Sequence, residues 1–228
     1  MGAQIDATEV AMNLTKVQDK VNEVKFFSEK LHEVHSLPVP GNTDAFRYYF
    51  SAFLNAAYSV EQFAKWEVMA DVQAQGKNES EQKRGWEKYK ERWCDTLGPE
   101  ERELWSSLSR YGGIRGTEVH RERSRTTAKQ KAVPLRDFPA SHATQAYKAF
   151  YVMQEAWGFP GLGFPGLGFP GIDSLTKELD LPPGTRAWSY INEHYVEIEG
   201  KSRSIPEVSK EIVDLCDRLV RHLQAVPI

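Results

Sequence analysis

Apolar residues recur every three or four positions along the first third of the chain, which is the spacing of an amphipathic helix. The first such series comprises Val10, Leu14, Val17, Val21, Val24 and Leu31. Pro38 and Pro40 end this predicted helix. A second helix is predicted to start at Thr43 or Asp44, either of which can act as an N-cap. Its apolar face, between residues 46 and 64, is rich in aromatic side chains and should lie at the centre of the core.

The pattern predicts two more helices before residue 113. A polar connector covers residues 73–82, and Ser80 is predicted to cap a third helix that turns Trp86, Tyr89 and Trp93 inward. A fourth helix is predicted to begin near Pro99, because proline is favoured in the first turn. The two glutamates that follow it suit the positive end of the helix dipole.

The helical period is lost after the fourth helix. Residues 121–136 read RERSRTTAKQKAVPLR, where a strand or a basic loop is expected. A further helix is predicted at about 141–157, one strand at 189–198, and a closing amphipathic helix at 205–223. Between them GFPGL occurs twice and GFPG once more, over residues 158–171, and Pro–Gly steps favour tight turns. We therefore expect a surface loop there. Its formal GxGxxG match does not indicate a dinucleotide-binding site, because no strand precedes it.

These elements predict a mainly α protein, an up-down four-helix bundle with a small β element and additional C-terminal helices. Two units follow from the order of elements. Residues 1–136 are expected to form the helical bundle. Residues 137–228 are expected to form a helical extension, in which the repeat loop at 158–171, one strand and the closing helix pack on the bundle.

The composition excludes several classes of protein. The chain is 40% hydrophobic and 27% charged, which is typical of a globular domain, and its net charge of -3 gives no bulk signal for nucleic acid or membrane. Cys94 and Cys216 are too few for a disulfide framework or a zinc ribbon. No signal peptide or membrane-spanning run is evident, so we expect a cytoplasmic protein without membrane contact. His32 and His35 lack the HExxH spacing, and no metal or cofactor is expected.

The candidate chemistry lies in the sequence IRGTEVHRE, which contains Arg115 and His120. An arginine offers a fixed fork of donors for phosphate oxygens, and a histidine can move a proton near neutral pH. Together they could cleave RNA without a metal. Five steps along a regular helix rotate by about 140°, so the two side chains would not share one face. Their convergence needs a bent segment or a second subunit.

A helical bundle with Arg-x4-His late in its fourth helical segment resembles a HEPN domain (the higher eukaryotes and prokaryotes nucleotide-binding family). The aromatic stretch FRYYFSAFLNAAYSV at 46–60 and the closing helix at 205–223 are similar to those of bacterial HEPN-like proteins. The resemblance implies a metal-independent endoribonuclease that acts as a homodimer, with Arg115 and His120 as its catalytic residues. It also implies RNA as substrate, and a cognate antitoxin or regulatory protein as a partner. Gly116 differs from the polar residue, often Asn, that usually follows the arginine.

The basic stretch after the motif suggests how RNA would be held. Its cationic side chains can follow a phosphate backbone. They are Arg121, Arg123, Arg125, Lys129 and Lys131. A solvated basic loop is the alternative structural interpretation. The alternative function is a non-catalytic helical protein-interaction or regulatory protein, which Gly116 and the negative net charge favour.

Overall fold

The computed structural model describes residues 14–35, 43–110, 113–115, 126–134 and 188–225. This part of the chain contains five helices and a three-stranded sheet, which confirms the predicted mainly α class with a small β element. The elements are α1 Thr15–His35, α2 Thr43–Ala74, α3 Glu79–Asp95, α4 Pro99–Ser109, β1 Thr126–Pro134, β2 Trp188–Ile198, β3 Lys201–Ser204 and α5 Ile205–Ala225. The helix predicted at 141–157 and the repeat at 158–171 lie outside the described residues.

Side-chain contacts fix the directions of α1 and α2. At one end of the pair, the ring of His35, the last residue of α1, lies 6.3 Å from that of Phe46 near the start of α2. At the other end, Lys20 Nζ lies 5.6 Å from the ring centroid of Phe63. The two helices are therefore antiparallel.

The next pair of helices, α2 and α3, is also antiparallel. Glu61 and Lys90 form an ion pair of 2.7 Å, and further along α2 Val72 packs against Gly85 near the start of α3. Glu61 is 5% exposed, so its carboxylate depends on this partner for compensation of its buried charge. The ion pair therefore fixes one relative position of the two helices along their axes.

Helix α5 lies antiparallel to α1, on the side that α2 leaves open. The hydroxyl groups of Ser28 and Ser209 are 3.2 Å apart in the buried contact, and Lys25 pairs with Asp217 at 2.9 Å. Ten residues of α5 are buried, the consequence of an apolar stripe that repeats every three to four positions. Helices α2 and α5 thus both run antiparallel to α1, which lies between them.

One hydrophobic core contains side chains from all five helices and from β2. The aromatic face predicted for α2 is buried at its centre, where Phe46, Phe50 and Phe53 are no more than 1% exposed. Trp86 and Trp93 of α3 are buried too, as the seven-residue spacing predicted. Within the described residues, no helix has the length and apolar composition that a membrane span requires.

The sheet has the order β1-β2-β3 with both neighbours antiparallel. Along β2, the buried residues His194, Val196 and Ile198 alternate with more exposed ones, so one face of the sheet packs on the helices. The strand predicted at 189–198 is confirmed, and the strand alternative for the basic stretch is confirmed over residues 126–134. The sequence did not predict β3, which follows a tight turn at Glu199 and Gly200, both with positive φ.

Two boundaries between α2 and α3 differ from the prediction. Helix α2 continues to Ala74, two residues into the predicted polar connector, because Val68 and Val72 extend its buried stripe up to the start of the connector. Asn78, and not Ser80, caps α3: its side chain accepts a hydrogen bond from Glu81 N, and the Glu81 carboxylate accepts one from Asn78 N. This reciprocal capping box starts the helix earlier than predicted.

Candidate functional site

The chain folds back at the end of α4, and this reversal places Arg115. A Cβ on Gly113 would lie 2.0 Å from the carbonyl oxygen of Ser107, so the turn has room for glycine and for no other residue. Next to it, Ile114 inserts its side chain into the core and is 1% exposed. With Ile114 anchored, the following residue is held against the helical bundle.

Arg115 stacks on an aromatic ring of α2. Its guanidinium carbon lies 3.8 Å from the ring centroid of Tyr58, which is cation–π geometry. Both side chains are half-buried. Among the described residues, no carboxylate forms an ion pair with Arg115. Stacking uses the face of the guanidinium, so its N–H groups remain available along the edge for an anion.

The predicted partner of Arg115 lies in a part of the chain that is not described. His120 falls there, together with Gly116 and the basic residues Arg121, Arg123 and Arg125. The meeting of Arg115 and His120 therefore stays a prediction.

Lys129 and Lys131 lie on β1, and both are exposed. Lys129 Nζ lies 4.8 Å from the ring centroid of Tyr195 on β2, while Lys131 Nζ pairs with Glu193 at 2.9 Å. The hydroxyl of Tyr195 also donates to Glu193, at 2.7 Å. Lys131 and Tyr195 together lower the pKa of the Glu193 carboxyl. Of the two predicted RNA-binding lysines, only Lys129 thus carries a charge that no described acid neutralises.

A pair of histidines lies where the end of α1 meets β2, and the sequence did not indicate their proximity. The ring of His194 stacks on Phe46 at 3.6 Å, and His35 lies 5.8 Å from His194. Burial lowers the pKa of His194 to about 4, and it also lowers the pKa of His35. Their Nδ1 atoms are buried without a hydrogen-bond partner in the described part of the chain. Both rings are therefore neutral at pH 7, with His194 buried and His35 half-buried.

The described residues contain no group of three or more His, Cys, Asp or Glu side chains placed to hold a metal ion. Cys94 and Cys216 are free thiols, and burial raises the pKa of each. A raised pKa leaves little nucleophilic thiolate at neutral pH. Cysteine chemistry is thus not supported by either residue.

Comparison with protein-family models, with curated proteins and with solved structures finds no match to this chain. The function has to be argued from the residues themselves.

Proposed function

We propose that the chain is a cytoplasmic RNA-binding protein in which Arg115 contacts an RNA phosphate. The single observation that supports the proposal is the Arg115 side chain: it is stacked on Tyr58, and no described acid neutralises it. An arginine whose plane is fixed on an aromatic ring loses little rotamer entropy when its edge binds a phosphate. Lys129 on Tyr195 is a second pairing of a cation with an aromatic ring, a combination that suits single-stranded RNA.

The stronger form of the proposal is that the protein cleaves RNA without a metal. His120 would take the proton from a ribose 2′-hydroxyl, or deliver one to the departing 5′-oxygen. The 2′-oxygen would bond to phosphorus as the bond from phosphorus to the 5′-oxygen breaks, leaving a cyclic phosphate and a 5′-hydroxyl. Arg115 would stabilise the additional negative charge on the phosphate. A homodimer is one way to bring Arg115 and His120 together, since their spacing opposes contact on a straight helix.

RNA cleavage in EDTA tests the proposal, with wild type beside Arg115→Ala and His120→Ala. We expect cleavage by the wild type and a loss of at least about 100-fold in each variant, the usual effect of removing a proton-transfer or charge-stabilising group. Arg110→Ala is the matched control, because Arg110 lies close in sequence but is paired with Glu199. It should leave the cleavage rate unchanged.

Binding by fluorescence anisotropy separates the two forms of the proposal. If wild type binds RNA without cleaving it and Arg115→Ala binds more weakly, the binding function holds and the nuclease form is wrong. If wild type neither binds nor cleaves, both forms are wrong. A non-catalytic protein-interaction role would then be favoured, since Tyr48 and Trp66 on α2 are 75% and 57% exposed.

A further inference from the structure

A groove of about 330 Å³ lies between the end of α2 and the outer face of α3. Four of the side chains that line it are cationic: Lys77, Arg84, Lys88 and Arg92. The lining contains one acidic residue, Glu81, whose carboxylate already accepts a hydrogen bond from the backbone of Asn78 in the cap of α3. The groove therefore carries a local excess of positive charge on a chain whose net charge is -3.

The spacing of the cations in the groove destabilises helix α3. Arg84, Lys88 and Arg92 follow one another at intervals of four residues, so like charges face each other along α3. Each such pair of like charges destabilises a helix. Among the described residues, no carboxylate forms an ion pair with any of the three.

Two other lysines of α3, by contrast, form ion pairs with acidic residues. Lys83 pairs with Glu79 at 2.7 Å, and Lys90 pairs with Glu61 at the same distance. The helix thus neutralises the cations that point away from the groove. Among the described residues of α3, the cations without an ion pair are those that line the groove.

Tyr89 also lines the groove but contributes no accessible donor to it. The residue is 3% exposed, and its hydroxyl is buried without a hydrogen-bond partner in the described part of the chain. Its ring lies 5.1 Å from that of His222, whose buried Nε2 also has no partner there. A ligand in the groove cannot reach a hydroxyl that has no accessible surface, so the groups that it would contact are the cations.

We propose that this groove binds a small phosphorylated molecule. Phosphate oxygens would accept hydrogen bonds from Arg84, Lys88 and Arg92. Phosphate suits the site because several cations line it, and because guanidinium groups bind phosphate in a bidentate manner. The volume lies at the lower end of the range for small-molecule sites, which favours a compact anion over a nucleic-acid strand. Arg115 does not line this site. The proposal therefore does not depend on the proposed RNA function.

Calorimetric titration with pyrophosphate, beside inorganic phosphate, tests this proposal on the full chain. We expect pyrophosphate to bind, and the double variant Arg84→Gln/Lys88→Gln to raise its Kd at least about tenfold through the loss of charge-assisted hydrogen bonds. Lys83→Gln removes a charge from the same helix outside the groove, and should change Kd less than about twofold.

Three results would overturn the proposal. Wild type could fail to bind either anion, which leaves the groove without a ligand of this class. Lys83→Gln could weaken binding as much as the double variant, which would indicate diffuse attraction by the whole helix. A single-stranded RNA could bind in a manner that depends on Arg84 and Lys88 while pyrophosphate does not, which would make the groove part of an RNA surface. Arg115→Ala should bind pyrophosphate like wild type, so failure of the RNA proposal is distinguishable from failure of this one.

Discussion

His194 is a core residue that can acquire a charge. It stacks on Phe46, and the groups that face it, His35 and Arg47, are both basic. Burial holds its pKa at about 4 in the folded chain, below the ordinary value of 6.5. The unfolded chain therefore takes up the proton first as the pH falls. The stability that His194 contributes is complete above pH 6.5 and is lost progressively towards pH 4.

Substitution of His194 by glutamine should flatten this pH dependence. Between pH 7.5 and pH 5.5, we expect the free energy of unfolding of wild type to fall by about 1 kcal/mol more than that of His194→Gln. At pH 7.5 the variant will be less stable than wild type because it loses the stacking on Phe46. Urea unfolding at both pH values measures the difference. Parallel losses in the two proteins would show that folding does not lower the pKa of His194.

At the residue scale, sequence spacing predicted Arg115 as a site but not its environment. Tyr58, on which it stacks, lies on another helix, and contact between them depends on the turn at Gly113. No local pattern encodes such a contact. The groove on α3 is different, since Arg84, Lys88 and Arg92 repeat every four residues in the sequence. That spacing could have indicated a cationic face, whereas the unpaired Tyr89 hydroxyl required the packed structure.

At the scale of single elements, the start of α3 gives a matched pair of variants. Asn78 caps the helix, while Ser80 is exposed within its first turn. Asn78→Ala should destabilise the protein by about 1 kcal/mol, the typical effect of removing a cap. In a chain of this length that corresponds to a fall in Tm of roughly 2–4 °C. Ser80→Ala should leave Tm nearly unchanged, and an equal fall in both variants would contradict the assignment of the cap.

The packing of α3 on α2 depends on Gly85. A Cβ at this position would lie 2.9 Å from Cγ2 of Val72, a β-branched side chain with little freedom to move. Gly85→Ala should therefore destabilise by about 1 kcal/mol, although alanine favours a helix more than glycine does.

The double variant Gly85→Ala/Val72→Ala is the control for this prediction. It removes the close contact, so the second substitution should destabilise less in the Gly85→Ala background than in wild type. Denaturant unfolding of the four proteins gives the coupling. Additive effects would show that the two positions do not constrain each other.

The sequence predicted best those helices and strands whose apolar residues repeat most regularly. α5 and the buried face of α2 have regular apolar stripes, and both were predicted from the sequence. β3 reads KSRS and has no apolar alternation, so its pairing with β2 depends on the turn that precedes it. Helix α2 ends only two residues inside the predicted polar connector, because Val72 is the last residue of its buried face.

At the scale of the whole molecule, α5 completes the core around α1. Val17, Val21 and Val24 are fully buried, and α5 packs along the same helix. A fragment of residues 1–136 lacks α5 and β2, so we expect it to expose this apolar surface and to melt without a cooperative transition. Circular dichroism and binding of a hydrophobic dye measure both properties.

Addition of a peptide covering residues 188–225 is the control for the fragment. It supplies α5 and β2, and it should restore a cooperative melt if these elements are what the fragment lacks. A sharp transition of residues 1–136 alone would show instead that the first four helices are sufficient for a stable core.

The position of α1 between α2 and α5 also sets an order of events during synthesis. One side of α1 can be covered as soon as α2 has been synthesised. The other side stays uncovered until residues 205–225 have been synthesised. At roughly 5–20 residues per second, the ribosome needs on the order of 10–40 s to pass from the end of α1 to the end of α5. Throughout that interval the nascent chain presents an uncovered apolar stripe, the kind of surface that chaperones bind.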